Sequence, residues 1–213
     1  MLRWQSNERD KIFDVSDKFM RIASKVTDNA CWLKAPQNIA DIFQQGGLRH
    51  ISDLVAANGE YTLTSPTTPR YHTTAAIHEL QRTGKTILHF ATYEDMAIAY
   101  VTINSSVAYA WWRMTDGGIT LTNKTLLSTP IFVKTKHDKI ACQQFVNNIS
   151  AHETDYIVAK KNAGKMNENL SFPDNLVEQM TMLAMPNASS QVISELTAFH
   201  TNSVIEQESK LSG

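Results

Sequence analysis

The sequence predicts a helix-dominated α+β fold, with a small central mixed or antiparallel β region and C-terminal helices. Three observations carry this. Apolar residues recur at three- and four-residue steps over several stretches, the period of one helix face. Hydroxyl residues stand three positions before carboxylates at Thr92–Asp95 and Thr135–Asp138, the signature of a helix start. Between these helical stretches, "YTLTSPTTPRYHT" is rich in β-branched and aromatic residues and broken by Pro66 and Pro69, which indicates strand and loop.

Along the chain, Ile12, Val15, Phe19, Ile22 and Val26 mark an amphipathic helix from Asn7 to Val26. Asn38–Gln45 and Ile51–Ala57 are shorter helices separated by Gly46-Gly47, and Lys85–Phe90 is a short strand. The helix capped by Thr92 runs through Met96, Ala99, Tyr100 and Ile103, breaks at Asn104-Ser105-Ser106 and resumes from Val107 to Arg113. Asp116-Gly117-Gly118 then supplies the stop, because glycine tolerates positive φ. A brief strand is expected over Ile119–Thr122, and a helix from Thr135 to about Lys160. Helices at Asn175–Leu183 and Gln191–Gln207 complete the chain. The organisation is one compact domain with an N-terminal helical segment (1–60), a β-containing core (61–136) and a C-terminal helical segment (137–213).

At 213 residues, with 42% apolar and 19% charged side chains, the chain can bury a core of its own. The net charge of −1 argues against a general nucleic-acid coat protein, but the charge is uneven. Residues 1–60 hold 8 basic and 8 acidic groups, residues 61–140 hold 8 and 5, and residues 141–213 hold 4 and 8. A mildly basic middle is therefore masked by an acidic C-terminal third. Two widely separated cysteines, Cys31 and Cys142, point to reduced thiols rather than a disulfide. No run approaches the ~20 apolar residues of a membrane span, and the first residues contain no apolar signal core, so a cytoplasmic location is expected.

The motifs of common catalytic and phosphate-binding sites do not occur: no Walker loop, no Gly-x-Gly-x-x-Gly, no Gly-x-Ser-x-Gly and no His-Glu-x-x-His. The seven histidines (His50, His72, His78, His89, His137, His152 and His200) have no zinc-like spacing. What stands out instead is a concentration of groups suited to phosphates and bases. Arg70-Tyr71-His72, Arg82, Lys85, Trp111-Trp112-Arg113, Thr120, Thr122, Lys124 and Lys134 lie close together in sequence. Arg and Lys neutralise phosphates, hydroxyls donate to phosphate oxygens, and Arg can fork onto a guanine edge. Trp111 and Trp112 point about 100° apart on a helix, so at least one belongs in the core.

The stretch "TYEDMAIAYVTINSSVAYAWWRMTDGGITLTNKTLLSTPIF" (Thr92–Phe132) resembles adenine-specific DNA methyltransferases of the type IIG restriction–modification class. In that family an extended strand precedes a helix with a Leu/Ile-Asn-Ser-Ser step. A Trp-Trp-Arg cluster, an Asp-Gly turn and a Leu-Thr-Lys-x-Asp-Leu-Leu-Ser-Phe-Pro-Ile segment then follow. Here Thr125 replaces a frequent acid and Thr129 a frequent aromatic. "NAGKMNENLSFPDNLVEQMTML" (Asn162–Leu183) is similar to the stretch that follows. The two blocks cover about a third of the chain, in the family's order.

The resemblance implies a domain that reads the DNA sequence beside a methyltransferase domain, in cis or as a partner subunit. The family's Asn/Asp-Pro-Pro-Tyr/Phe and Phe-x-Gly-x-Gly motifs, for the flipped adenine and for S-adenosylmethionine, do not occur in this chain. The expectation is a target-recognition domain that binds double-stranded DNA without catalysis or cofactor of its own. Arg70, Tyr71, Arg113 and Lys124 are the contact candidates, with Trp112 stacking or packing behind them. The alternative is a protein-interaction domain whose acidic C-terminal helices dock a partner subunit.

Overall fold

A computed structural model of the chain describes residues 33, 35, 37–69, 72–116, 119–162 and 164–201. The amphipathic stretch expected over Asn7–Val26 lies outside the described residues, as do Arg70 and Tyr71. The fold is α+β and helix-dominated, with small antiparallel sheets. Helix α1 (Gln37–Phe43) is followed by β1 (Arg49–His50), a 3-10 turn (Ile51–Asp53), β2 (Tyr61–Pro66) and β3 (Lys85–Phe90). Helices α2 (Tyr93–Asn104), α3 (Ser106–Thr115) and α4 (Asn123–Leu127) come next, then β4 (Pro130–Ile131) and α5 (Lys136–Ser150). A second hairpin, β5 (Ile157–Asn162) and β6 (Lys165–Leu170), precedes α6 (Asp174–Ala184) and α7 (Ser190–Thr201).

Helix α2 is the centre of the core. Every residue from Met96 to Asn104 is buried, which an all-round apolar helix requires. Its start is the expected one: the Thr92 hydroxyl accepts the Asp95 N–H at 3.1 Å. Its end is made by Ser105, in extended conformation, whose hydroxyl donates to the Thr102 carbonyl at 2.7 Å and accepts the Val107 N–H at 3.2 Å. One serine thus closes α2 and caps α3. Helices α5 and α6 pack on α2, while α7 packs on α3 and α6. Thr135 and Asp138 form the capping box read from the sequence. At Gly59 a side chain would overlap the Phe90 backbone, so only glycine allows the chain to pass there.

Among the described residues the strands pair as three antiparallel two-stranded ladders. In β2–β3, Tyr61 faces Phe90 and Pro66 faces Lys85, and Thr64 also bridges to Ala76. In β1–β4, Arg49 faces Ile131. In β5–β6, Ile157 faces Leu170 and Asn162 faces Lys165, with Gly164 at φ 82 turning the chain.

Three local expectations are corrected. The helix from Thr135 ends at Ser150 instead of near Lys160, and strand β5 occupies Ile157–Asn162. The β-branched Ile157 and Val158 and the positive-φ Gly164 favour a hairpin there. So the β structure is not confined to the middle of the chain. Ile119–Thr122 is not a strand: Thr122 accepts the Thr125 N–H at 3.1 Å and starts α4, which places Lys124 on a helix. The Ile51–Ala57 helix reduces to the 3-10 turn at Ile51–Asp53.

Cys142 is a free thiol inside the core, and burial, with a smaller push from Asp138, raises it from the ordinary 9.0 to about 12. Burial, and then Glu153, also raise the Tyr100 phenol from 10.0. Both groups keep protons in the folded chain that the unfolded chain loses. Stability is therefore full below pH 9 and declines as pH rises towards 12. Urea midpoints measured from pH 7 upwards should fall in that window, and Cys142 should resist iodoacetamide until denaturant is added. Ready labelling of native Cys142 at pH 8 would contradict the burial.

Candidate nucleic-acid interface

The sequence candidates come from three segments: the loop after β2, the end of α3 and the start of α4. The described residues show how these segments meet. Thr67 donates its N–H to the Gly84 carbonyl at 3.0 Å and accepts the Leu121 N–H at 2.7 Å. This ties the loop at the end of β2 both to the start of β3 and to the approach to α4. Asn123, the first residue of α4, accepts the Thr86 hydroxyl at 2.6 Å. Beyond the loop, His72 stacks on Tyr109 of α3, with centroids 5.0 Å apart and planes 12° apart. Thr73 and Ala75 are then stitched to the end of α2, through the Ile103 carbonyl at 3.1 Å and the Asn104 side chain. Thr67 and His72, which flank Arg70 and Tyr71 in sequence, are each held by a contact distant in sequence.

On α3 the two tryptophans separate as the helical turn requires. Trp111 stacks on Phe43 at 6.0 Å and donates to Ser128 at 3.1 Å. Trp112 is 5% exposed, lies edge-on to Tyr109 at 6.1 Å and carries the Arg113 guanidinium 5.3 Å above its ring. Of the two roles open to Trp112, its burial fits packing behind the surface, because a side chain so covered offers no face to a base. Among the described residues its buried indole N–H finds no hydrogen-bond partner. Arg113 is half-buried, with its planar group held against an aromatic face, an arrangement that fixes a guanidinium before any ligand arrives. Lys124 is exposed on α4.

Sequence reading did not single out Arg82 as a structural residue, yet its side chain is spent inside the fold. It donates to the Gly84 carbonyl at 2.9 Å, the Glu168 carbonyl at 3.2 Å, Asn169 Oδ1 at 2.5 Å and the Thr68 hydroxyl at 3.2 Å. Burial lowers its pKa from the ordinary value, the cost of holding a cation partly out of water. Lys85 is likewise engaged, by Glu79 at 2.6 Å. Glu153 is another residue the sequence did not mark: it is 2% exposed and accepts the N–H groups of Ile77 and His78 at 3.0 and 2.8 Å. Only the sequence-distant N–H donors explain its burial, so no local pattern could have found it. Among the described residues no cluster of His, Cys, Asp and Glu could hold a metal, and no helix is long and apolar enough to cross a membrane. Comparison of the chain with protein-family models, with curated proteins and with solved structures finds no match.

Proposed function

We propose that the chain is a sequence-specific recognition domain for double-stranded DNA, acting beside an adenine-specific methyltransferase domain in cis or as a partner subunit. The observation that carries this is a pair of contacts: Thr67 bonds to Leu121 on the approach to α4, and His72 stacks on Tyr109 of α3. Segments distant in sequence thereby become neighbours; Arg113 and Lys124 lie on α3 and α4, and Arg70 falls between Thr67 and His72 in sequence. Phosphate contacts would set the register, and a forked arginine would read a base edge. S-adenosylmethionine belongs, on this reading, to the methyltransferase domain.

The test uses a duplex selected by the intact enzyme or by the chain itself. Arg113→Lys keeps the charge but loses the planar fork, so it should cost roughly 1–3 kcal/mol on the selected duplex and relax specificity at one position. Lys124→Ala should weaken all sequences alike and reduce the salt slope by about one contact. Failure of the unaltered chain to bind any duplex at low salt would end the proposal.

A further inference from the structure

We propose that the β5–β6 hairpin is a second DNA-contacting element, a two-stranded ribbon that enters the major groove. The proposal rests on the DNA-binding reading above and extends it to a part of the chain that sequence averages make acidic. Residues 141–213 carry four basic groups, and three of them, Lys160, Lys161 and Lys165, sit on this hairpin. Strand alternation divides the ribbon into two faces of different character. One face holds Ile157, Ala159, Lys161, Met166, Glu168 and Leu170. Leu170 is buried with Ala76 and Leu80, and Ile157 packs against that cluster. The other face holds Val158, Lys160, Lys165, Asn167 and Asn169, and no position on it is acidic.

The two ends of the ribbon differ just as clearly. At the base, Glu168 accepts the Gln81 N–H at 2.7 Å and returns its own N–H to the Gln81 carbonyl at 3.1 Å, while Arg82 grips Glu168 and Asn169. Met166, next to the turn, is 56% exposed, and Val158, opposite Asn169 nearer the base, is 53% exposed. Lys160, Lys161 and Lys165 form no ion pair among the described residues. Lys160 and Lys165 are diagonal neighbours on one face, where like charges repel. A ribbon braced at its base and crowded with unneutralised cations at its tip is the arrangement that a polyanion would relieve.

Size and chemistry agree with that occupant. From Val158 to the turn the strand extends roughly 14 Å, at about 3.4 Å per residue. The major groove, about 12 Å wide and 8.5 Å deep, admits a two-stranded ribbon. Lysine pairs with guanine edges or phosphates, asparagine with adenine, and an exposed valine can meet a thymine methyl. The hairpin is also continuous with the interface already described. Asn123 of the Lys124 helix bonds to Thr86, Gly84 bonds to Thr67, and Arg82 joins Thr68 and Gly84 to β6. A duplex lying along this line would meet both.

The experiment measures binding of the full chain to a random-sequence duplex by fluorescence anisotropy across a salt series. The Lys160→Gln/Lys165→Gln double variant changes only exposed side chains, and Lys136→Gln, an exposed lysine at the start of α5, serves as a control. The expected result for the double variant is a salt slope smaller by about two contacts and affinity lower by roughly 10–100-fold at 0.1 M salt, with the control unchanged. If the double variant matches the unaltered chain while Lys124→Ala weakens binding, the hairpin proposal fails and the DNA-binding reading stands. No duplex binding by the unaltered chain overturns both. Unchanged duplex binding together with loss of a protein partner's binding would assign the ribbon to an acidic protein surface and overturn the DNA contact.

Discussion

Asn104→Ala lowers the stability of the chain by about 3–5 kcal/mol, read as a shift of the urea midpoint at constant slope. Asn104 is fully buried, and its amide makes three bonds. Oδ1 accepts the Ala75 N–H at 3.0 Å, and Nδ2 donates to the Ala75 carbonyl at 2.8 Å and the Tyr100 carbonyl at 2.9 Å. Truncation leaves both backbone groups of Ala75 unsatisfied at a site with no solvent access, at roughly 1–3 kcal/mol each. Asn104→Asp is no rescue, because an oxygen would replace the donor that faces the Ala75 carbonyl. A destabilisation below about 1 kcal/mol would show that water or a rearranged backbone replaces the amide.

Glu153→Ala should cost about 3–4 kcal/mol, and Glu153→Gln about half as much. The carboxyl group accepts from Ile77 and His78 at once, one N–H to each oxygen, whereas glutamine retains a single acceptor. Glu153 also lies near Tyr100 and helps keep that phenol protonated, although no hydrogen bond of ordinary geometry joins them. Because residues 77–82 form the platform on which β6 rests, the hairpin should loosen before the core does. Trypsin cleavage after Lys160, Lys161 and Lys165 should then accelerate in Glu153→Ala under native conditions. Equal cleavage rates in the variant and the unaltered chain would separate Glu153 from the anchoring of the hairpin.

The helix starts and the Lys85–Phe90 strand were legible because their signals are local. Thr92 and Thr135 cap the helices they announce, and Lys85–Phe90 forms the strand its residues indicate. The break at Asn104-Ser105-Ser106 falls where it was read, because a serine hydroxyl competes with the backbone for hydrogen bonds. Strands β5 and β6 were not legible. The outer part of the ribbon, around Lys160, Lys161 and Lys165, is exposed and lacks apolar and polar alternation, and Ala163-Gly164 is a weaker turn signal than Asn-Gly. Lys124 was placed on a strand or loop because Ile119–Thr122 alternates, although Ile119 is 83% exposed and Thr122 is a helix cap.

By itself the sequence determined the fold class and the starts of the helices capped by Thr92 and Thr135. It also determined which residue types could meet a polyanion. Tertiary structure decided which of these side chains are buried or bonded within the fold and which stay exposed. Trp112 is covered by Tyr109 and Arg113, and Arg82 is spent on Gly84, Glu168, Asn169 and Thr68, while Lys124 and the hairpin lysines stay exposed. The reason is physical. Local periodicity and capping depend on neighbours three or four residues away, whereas burial and the partner of a charge depend on segments brought together from 70 or more positions along the chain, as Glu153 with Ile77.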